Sequence, residues 1–213
     1  MTHSAPRAAV PRTFAISPPE LGAKVLLRWT EEVVAGGVEA IQLRAKHLSG
    51  AELSALAAAM RRRIPSPLLL SISGRLDVAL AAGADGVHLP EDSLPCSTVR
   101  ELAPGLLIGK STHSLSAVAA ARTAGADYVF FSPVFPPTSK PSSLAPTGLR
   151  GLADACGKGL VVVALGGMTA DRLSAVQAAG AHGVAGIGSF RGDRLAQTVR
   201  EAHRVFGRSA ANR

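Results

Sequence analysis

Short apolar or β-branched runs recur along the chain, each followed by a stretch rich in Ala and Leu with helical spacing. Eight runs stand out, at 14–17, 38–43, 68–73, 86–89, 106–111, 128–132, 161–165 and 184–188. Several are apolar almost throughout, as in Val161-Val162-Val163-Ala164-Leu165, which suits strands buried on both faces of a parallel sheet. Between the runs the period changes to that of a helix. Leu53, Leu56, Ala57 and Met60 fall on one stripe, and Ser49 with Glu52 carries the signature of a capping box in front of it. Ser114 stands where it can cap a helix that ends at Gly125.

A repeated junction supports this reading more strongly than any single run. Gly37, Gly83, Gly125 and Gly180 each come just before a strand, in GGVEAIQ, AGADGVHL, AGADYVFF and AGAHGVAGI, where glycine takes the left-handed conformation that ends a helix. The spacing varies, so this is a βα unit with loops of different length and not a solenoid. Eight units of about 25 residues each predict an α/β fold, a single (β/α)8 TIM barrel. An open doubly wound sheet is the alternative, although eight strictly alternating strands are many for it. The barrel is expected over 13–207, with a flexible N-terminal tail at 1–12 and a short C-terminal tail at 208–213.

Composition narrows the function classes. Of 213 residues, 47% are hydrophobic and 18% charged, which excludes a disordered or fibrous chain. Aromatics are only 4%, too few to build stacking platforms for nucleic-acid bases. The net charge of +8 gathers at the ends, so it reads as a solvated terminal helix and not as a nucleic-acid surface. No apolar run approaches the length of a membrane span, and no membrane contact is expected. Cys96 and Cys156 stand alone, without metal-ligand spacing, and suit buried thiols in a reducing cytoplasm.

In such a barrel the chemistry collects at the C-terminal ends of the strands. After the second run, the two-residue period puts Gln42, Arg44 and Lys46 on one face and Leu43 and Ala45 on the other. Two cations on the barrel side point to an anion, or else Arg44 pairs with an internal carboxylate. Gly166-Gly167 and Gly188-Ser189 follow runs seven and eight, the usual phosphate position in these barrels. After run six comes a proline-stiffened loop, Pro133 to Pro141. Its Thr138, Ser139 and Lys140 look like a clamp that presents Lys140 to an anion, against the plainer reading of an exposed lysine. His113 lies two residues beyond Ser111 and is a candidate acid or base, with helix capping as the competing role. Lys110 has the opposite parity and is expected to face the helix layer, away from any Schiff-base role. His88 reads as a hydrogen-bonded structural residue.

The segments QLRAK at 42–46, ADGVHL at 84–89, IGKSTHS at 108–114, ADYVFFSPVFPPTSK at 126–140 and VALGGMTADRL at 163–173, with AGAHGV beyond, resemble the thiamine phosphate synthase and thiazole tautomerase family. The similarity runs from Gly36 to Ser189. It implies a TIM barrel acting in thiamine biosynthesis. It also implies a pyrimidine diphosphate site at Gln42, Arg44, Lys46, Ser111 and Lys140, and a thiazole phosphate site at Pro137, Thr138, Ser139, Gly167, Ile187 and Gly188. The synthases of this family end the third strand with Asn-Asp and carry a second Asp beyond the GVHL segment, both Asp residues serving as Mg²⁺ ligands. This chain has Ser73, Gly74 and Ser93 there, with Glu91 and Asp92 as the neighbouring carboxylates.

The segments SLP at 93–95 and GGMTADRL at 166–173 resemble the tautomerase side, although Pro133 stands where its histidine is expected. The first expectation is therefore a metal-independent tautomerase-like isomerase using His113, Lys46 or Lys140 as catalytic groups. A Mg²⁺-dependent synthase that releases pyrophosphate comes second, and a non-catalytic thiazole phosphate-binding or regulatory protein third. No metal ligand is assigned, and Mg²⁺ is expected only under the synthase reading. The expected partners are a phosphorylated thiazole and, for the synthase, a pyrimidine diphosphate; assembly into a homo-oligomer stays open.

Overall fold

The computed structural model describes residues 8–136 and 144–209. Eight parallel strands close into one barrel, each pairing with the next and β8 with β1. They are β1 (Thr13–Ile16), β2 (Ala40–Leu43), β3 (Leu69–Ser73), β4 (Gly86–Leu89), β5 (Leu107–Thr112), β6 (Tyr128–Phe131), β7 (Val161–Ala164) and β8 (Gly183–Gly186). Each coincides with one of the apolar runs, with ends displaced by two residues at most. The helices are α1 (Ala23–Ala35), α2 (Gly50–Arg61), α3 (Leu76–Ala81), α4 (Cys96–Leu102), α5 (Leu115–Thr123), α6 (Gly148–Cys156), α7 (Leu173–Ala178) and α8 (Asp193–Phe206). None of those described is long and apolar enough to cross a membrane.

Local signals act where the sequence puts them. Ser49 and Glu52 exchange both bonds of the capping box, and the Ser114 hydroxyl accepts from the Ala117 N–H at 3.1 Å. The four junction glycines all have φ between 61° and 95°. The residue two positions after the glycine also works: Asp85 and Asp127 accept from the backbone of Leu70 and Ile108 at 2.7 Å, and from Arg61 and Arg100 respectively. Each carboxylate thereby ties a strand to the one before it.

Alternation along the strands separates two cores. Outward side chains such as Ile41, Leu43, Leu70, Ile72, Val129 and Val184 pack against the helices. Inward ones, among them Phe14, Ile16, Tyr128, Phe130, Val163 and Ala185, fill the barrel. Phe14 stacks on Tyr128 at 5.1 Å between ring centroids, and His88 lies 4.1 Å from Phe130. These rings plug the interior, so the barrel is a packed core, and in such barrels the chemistry sits at the C-terminal mouth.

Arg12 and Ser209 are tied to the opposite face. Buried Glu39 accepts the backbone N–H of Arg12 at 2.6 Å and of Ser209 at 2.8 Å. The Arg12 guanidinium reaches His182, whose other ring nitrogen bonds the Val10 carbonyl. The expected tails at 1–12 and 208–213 are therefore joined to the barrel at Arg12 and Ser209.

Candidate active site

At the C-terminal mouth lies a cavity of about 330 Å³. β2 supplies Gln42, Arg44 and Lys46 to it, and Leu43 and Ala45 are buried in the outer layer, as a two-residue period requires. Ser17, just beyond β1, braces this segment: its hydroxyl accepts from the Arg44 N–H at 2.7 Å and donates to the Arg44 carbonyl. Among the described residues no carboxylate forms an ion pair with Arg44 or Lys46. The internal-carboxylate role considered for Arg44 is thus not the one seen. Below them Gln42 is 2% exposed, and its side-chain oxygen has no hydrogen-bond partner. A buried acceptor left unsatisfied is costly unless a ligand donates to it.

The opposite wall comes from β4, β5 and β6. His88 is fully enclosed, with Nε2 3.0 Å from the Ser111 hydroxyl and Nδ1 3.3 Å from the Tyr128 phenol. Burial, reinforced by the Lys110 charge, pushes its pKa down to about 3, so it is neutral. Burial also raises the Tyr128 phenol, which stays protonated and can donate. Both hydroxyls can donate or accept, so either neutral tautomer satisfies the two contacts, one ring nitrogen donating and the other accepting. The Ser111 oxygen is held against the ring at the cavity wall. His88 is structural in this sense, and it orients a wall residue.

His113 also lines the cavity. Its Nδ1–H donates to the Ser132 carbonyl at 2.6 Å, which leaves Nε2 as the basic nitrogen, 3.9 Å from the Glu91 carboxylate. The cap of α5 is Ser114, so His113 is not needed for capping. The Glu91 partner was not foreseen; its only sequence signal was its place just beyond β4. Lys110 points out of the barrel, towards Cys96 and Ala121, with Nζ 3.5 Å from the Ser93 hydroxyl.

The loops after β7 and β8 meet beside the cavity, where the Ser189 hydroxyl donates to the Met168 carbonyl at 2.5 Å. Ile187 lines the cavity itself. A side chain at Gly167 would collide with the Pro136 carbonyl at 2.5 Å, while one at Gly188 would meet, among the described residues, only Arg194, at 3.8 Å. Gly188 thus leaves open space in which a phosphate can approach backbone. Pro137, Thr138, Ser139 and Lys140 lie outside the described residues.

The family model described as thiamine monophosphate synthase matches residues 13–190. The chain belongs to that family. The thiamine-phosphate synthase of Methanoculleus marisnigri is 44% identical over 162 residues, 75% of this chain and 77% of the relative. That of Methylobacillus flagellatus is 38% identical over 200 residues, 91% of this chain and 94% of the relative. Among solved structures, thiamine phosphate pyrophosphorylase from Pyrococcus furiosus superposes with a TM-score of 0.80 at 28% identity, covering 92% of this chain and 97% of its own. The first two are named as synthases and the third as a pyrophosphorylase, and the isomerase branch expected from SLP and GGMTADRL finds no counterpart in their names. Against the synthase pattern, the departures stand in the structure as they do in the sequence. Ser73 lines the mouth and Gly74 follows it at φ 71°, while the Ser93 hydroxyl donates to the Pro90 carbonyl.

Proposed function

We propose that the chain is a transferase that joins a pyrimidine diphosphate to a thiazole phosphate and releases pyrophosphate. The observation that carries this reading is the stack on β2: two cations without acidic partners above a buried amide oxygen without a donor. An aromatic ring carrying an N–H donor and a polyanionic leaving group has that complementarity. The names of the relatives support the same reading.

In this mechanism the C–O bond between the pyrimidine methylene and the diphosphate breaks, and its electron pair leaves with the diphosphate. The thiazole ring nitrogen then donates its lone pair to the methylene carbon, forming the C–N bond and a thiazolium. Arg44 and Lys46 gain strength as charge builds on the departing oxygen, which is where electrostatic catalysis acts. Ser111 stands in the facing wall, where its hydroxyl can bond the diphosphate. Backbone at Gly167 and Gly188 receives the thiazole phosphate beside Ile187, so the two rings approach across the cavity.

The experiment supplies both substrates to the purified chain and reads thiamine phosphate after oxidation to a fluorescent product. Product should form, and Lys46→Met should slow it by about 10²-fold, the scale of losing one preorganised transition-state contact. No product with or without Mg²⁺ would overturn the reading. A second reading rests on one observation, the His113 Nε2 facing Glu91: it is a proton-transfer site fit for moving a double bond in a thiazole carboxylate phosphate. Tautomer conversion slowed at least about 10²-fold by His113→Ala, with no coupling activity, would favour that isomerase.

A further inference from the structure

Beside the main cavity, between the ends of β2, β3 and β4, lies a second one of about 360 Å³. The two share Arg44, Lys46, Ser73 and Pro90, so they lie side by side along the same residues. The second adds Gly74 and Arg75 and contains no carboxylate in its wall. Arg75 is held by Asp77 through two contacts, Nε to Oδ1 at 2.8 Å and Nη2 to Oδ2 at 2.5 Å, which fixes its guanidinium at the rim.

The family resemblance puts Mg²⁺ carboxylates at Gly74 and Ser93, and the residues present do not fit that ion. Mg²⁺ is held by one or two carboxylates together with substrate phosphates. Gly74 offers no side chain and is followed by the Arg75 cation. Ser93 offers a hydroxyl whose proton is committed to the Pro90 carbonyl at 2.6 Å and whose oxygen faces the Lys110 ammonium at 3.5 Å. Glu91 lines the main cavity beside His113, and among the described residues no group of three acidic, His or Cys side chains could hold a metal. Beside Ser93 a dication would meet the Lys110 ammonium in place of a ligand, and at Gly74 it would find no side chain, the neighbouring Arg75 being already paired with Asp77.

We propose that this chain binds the diphosphate of its substrate without a divalent metal, Arg44 and Lys46 contacting it directly and Lys110 supplying positive charge beside Ser93, one of the two former metal-ligand positions. The inference rests on the coupling reading, because it concerns that substrate's leaving group. A diphosphate needs its charge compensated as it departs, and ammonium and guanidinium groups do so without the reorganisation of a metal's water shell.

The test is calorimetric titration of the folded chain with inorganic pyrophosphate, in chelator and in Mg²⁺, alongside the coupling assay in both buffers. Pyrophosphate should bind in chelator at least as tightly as in Mg²⁺, because the Mg²⁺ complex carries less negative charge. Lys110→Met should weaken binding in chelator by about threefold to tenfold, the scale of one nearby cation. Ser93→Asp combined with Lys110→Met should reverse the dependence, so that Mg²⁺ tightens binding. Binding seen only with Mg²⁺, or none in either buffer, would overturn the inference, and product formed only with Mg²⁺ would do so while leaving the coupling reading intact. Metal-free pyrophosphate binding with no product in either buffer would uphold the anion site and remove the coupling reading.

Discussion

Lowering the pH should unfold this protein through His88 in a way one substitution can isolate. The ring is fully enclosed, and burial lowers its pKa from 6.5 to about 3. In the folded state it stays neutral, while in the unfolded chain it takes a proton below about pH 6.5. Above that pH neither state is protonated and His88 has no effect. As the pH falls from 6.5 towards 3 the unfolded state binds the proton first, so stability is lost across that window. The gap of about 3.5 units corresponds to roughly 5 kcal/mol in full, and about 3 kcal/mol of it should be gone by pH 4.5, at 1.36 kcal/mol per unit. Urea denaturation at pH 7.5 and 4.5 measures this, comparing the parent chain with His88→Gln. Gln keeps a donor for Ser111 but takes no proton, so its stability should start lower, for loss of the ring against Phe130, and fall less. His182 and His203, whose pKa values burial also lowers, titrate in both proteins and cancel in the comparison. Parallel losses in the two proteins would refute the account of His88 as a buried neutral base.

Gly109→Ala would place its β-carbon in the Tyr128 ring and 2.5 Å from His88 Nδ1, so the pair that orients Ser111 must move. A loss of about 1–3 kcal/mol in chemical denaturation is expected, with a fall in turnover beyond that of a merely destabilised fold. Asp127→Asn weakens the bonds to Arg100 Nη2 and the Ile108 N–H, each 2.7 Å, and should cost about 1–3 kcal/mol without moving ligand affinity, since Asp127 lies at the far end of β6 from the mouth.

Whatever depends on near neighbours was legible in the chain. The two-residue period separated Gln42, Arg44 and Lys46 from Leu43 and Ala45, and it sent Lys110 outward from Ser111, because a strand's alternation is set by its own backbone. The Ser49–Glu52 box and the junction glycines were readable for the same reason, their partners lying within a few residues. Closure was not. Arg12 looked like part of a loose tail, yet its carbonyl accepts from Val184, a contact that exists only once β1 and β8 meet, and its N–H goes to Glu39 at the start of β2. The ring stack of Phe14, His88, Tyr128 and Phe130 joins three strands, and Glu91 meets His113 from different loops. The sequence by itself thus determined the repeated βα unit, the facing of each strand residue and the end of the barrel that carries the chemistry. The tertiary structure alone decided which side chains are buried neutral, which cations lack acids and which hydroxyl meets His88, because those depend on the field and the solvent exclusion that distant segments create together.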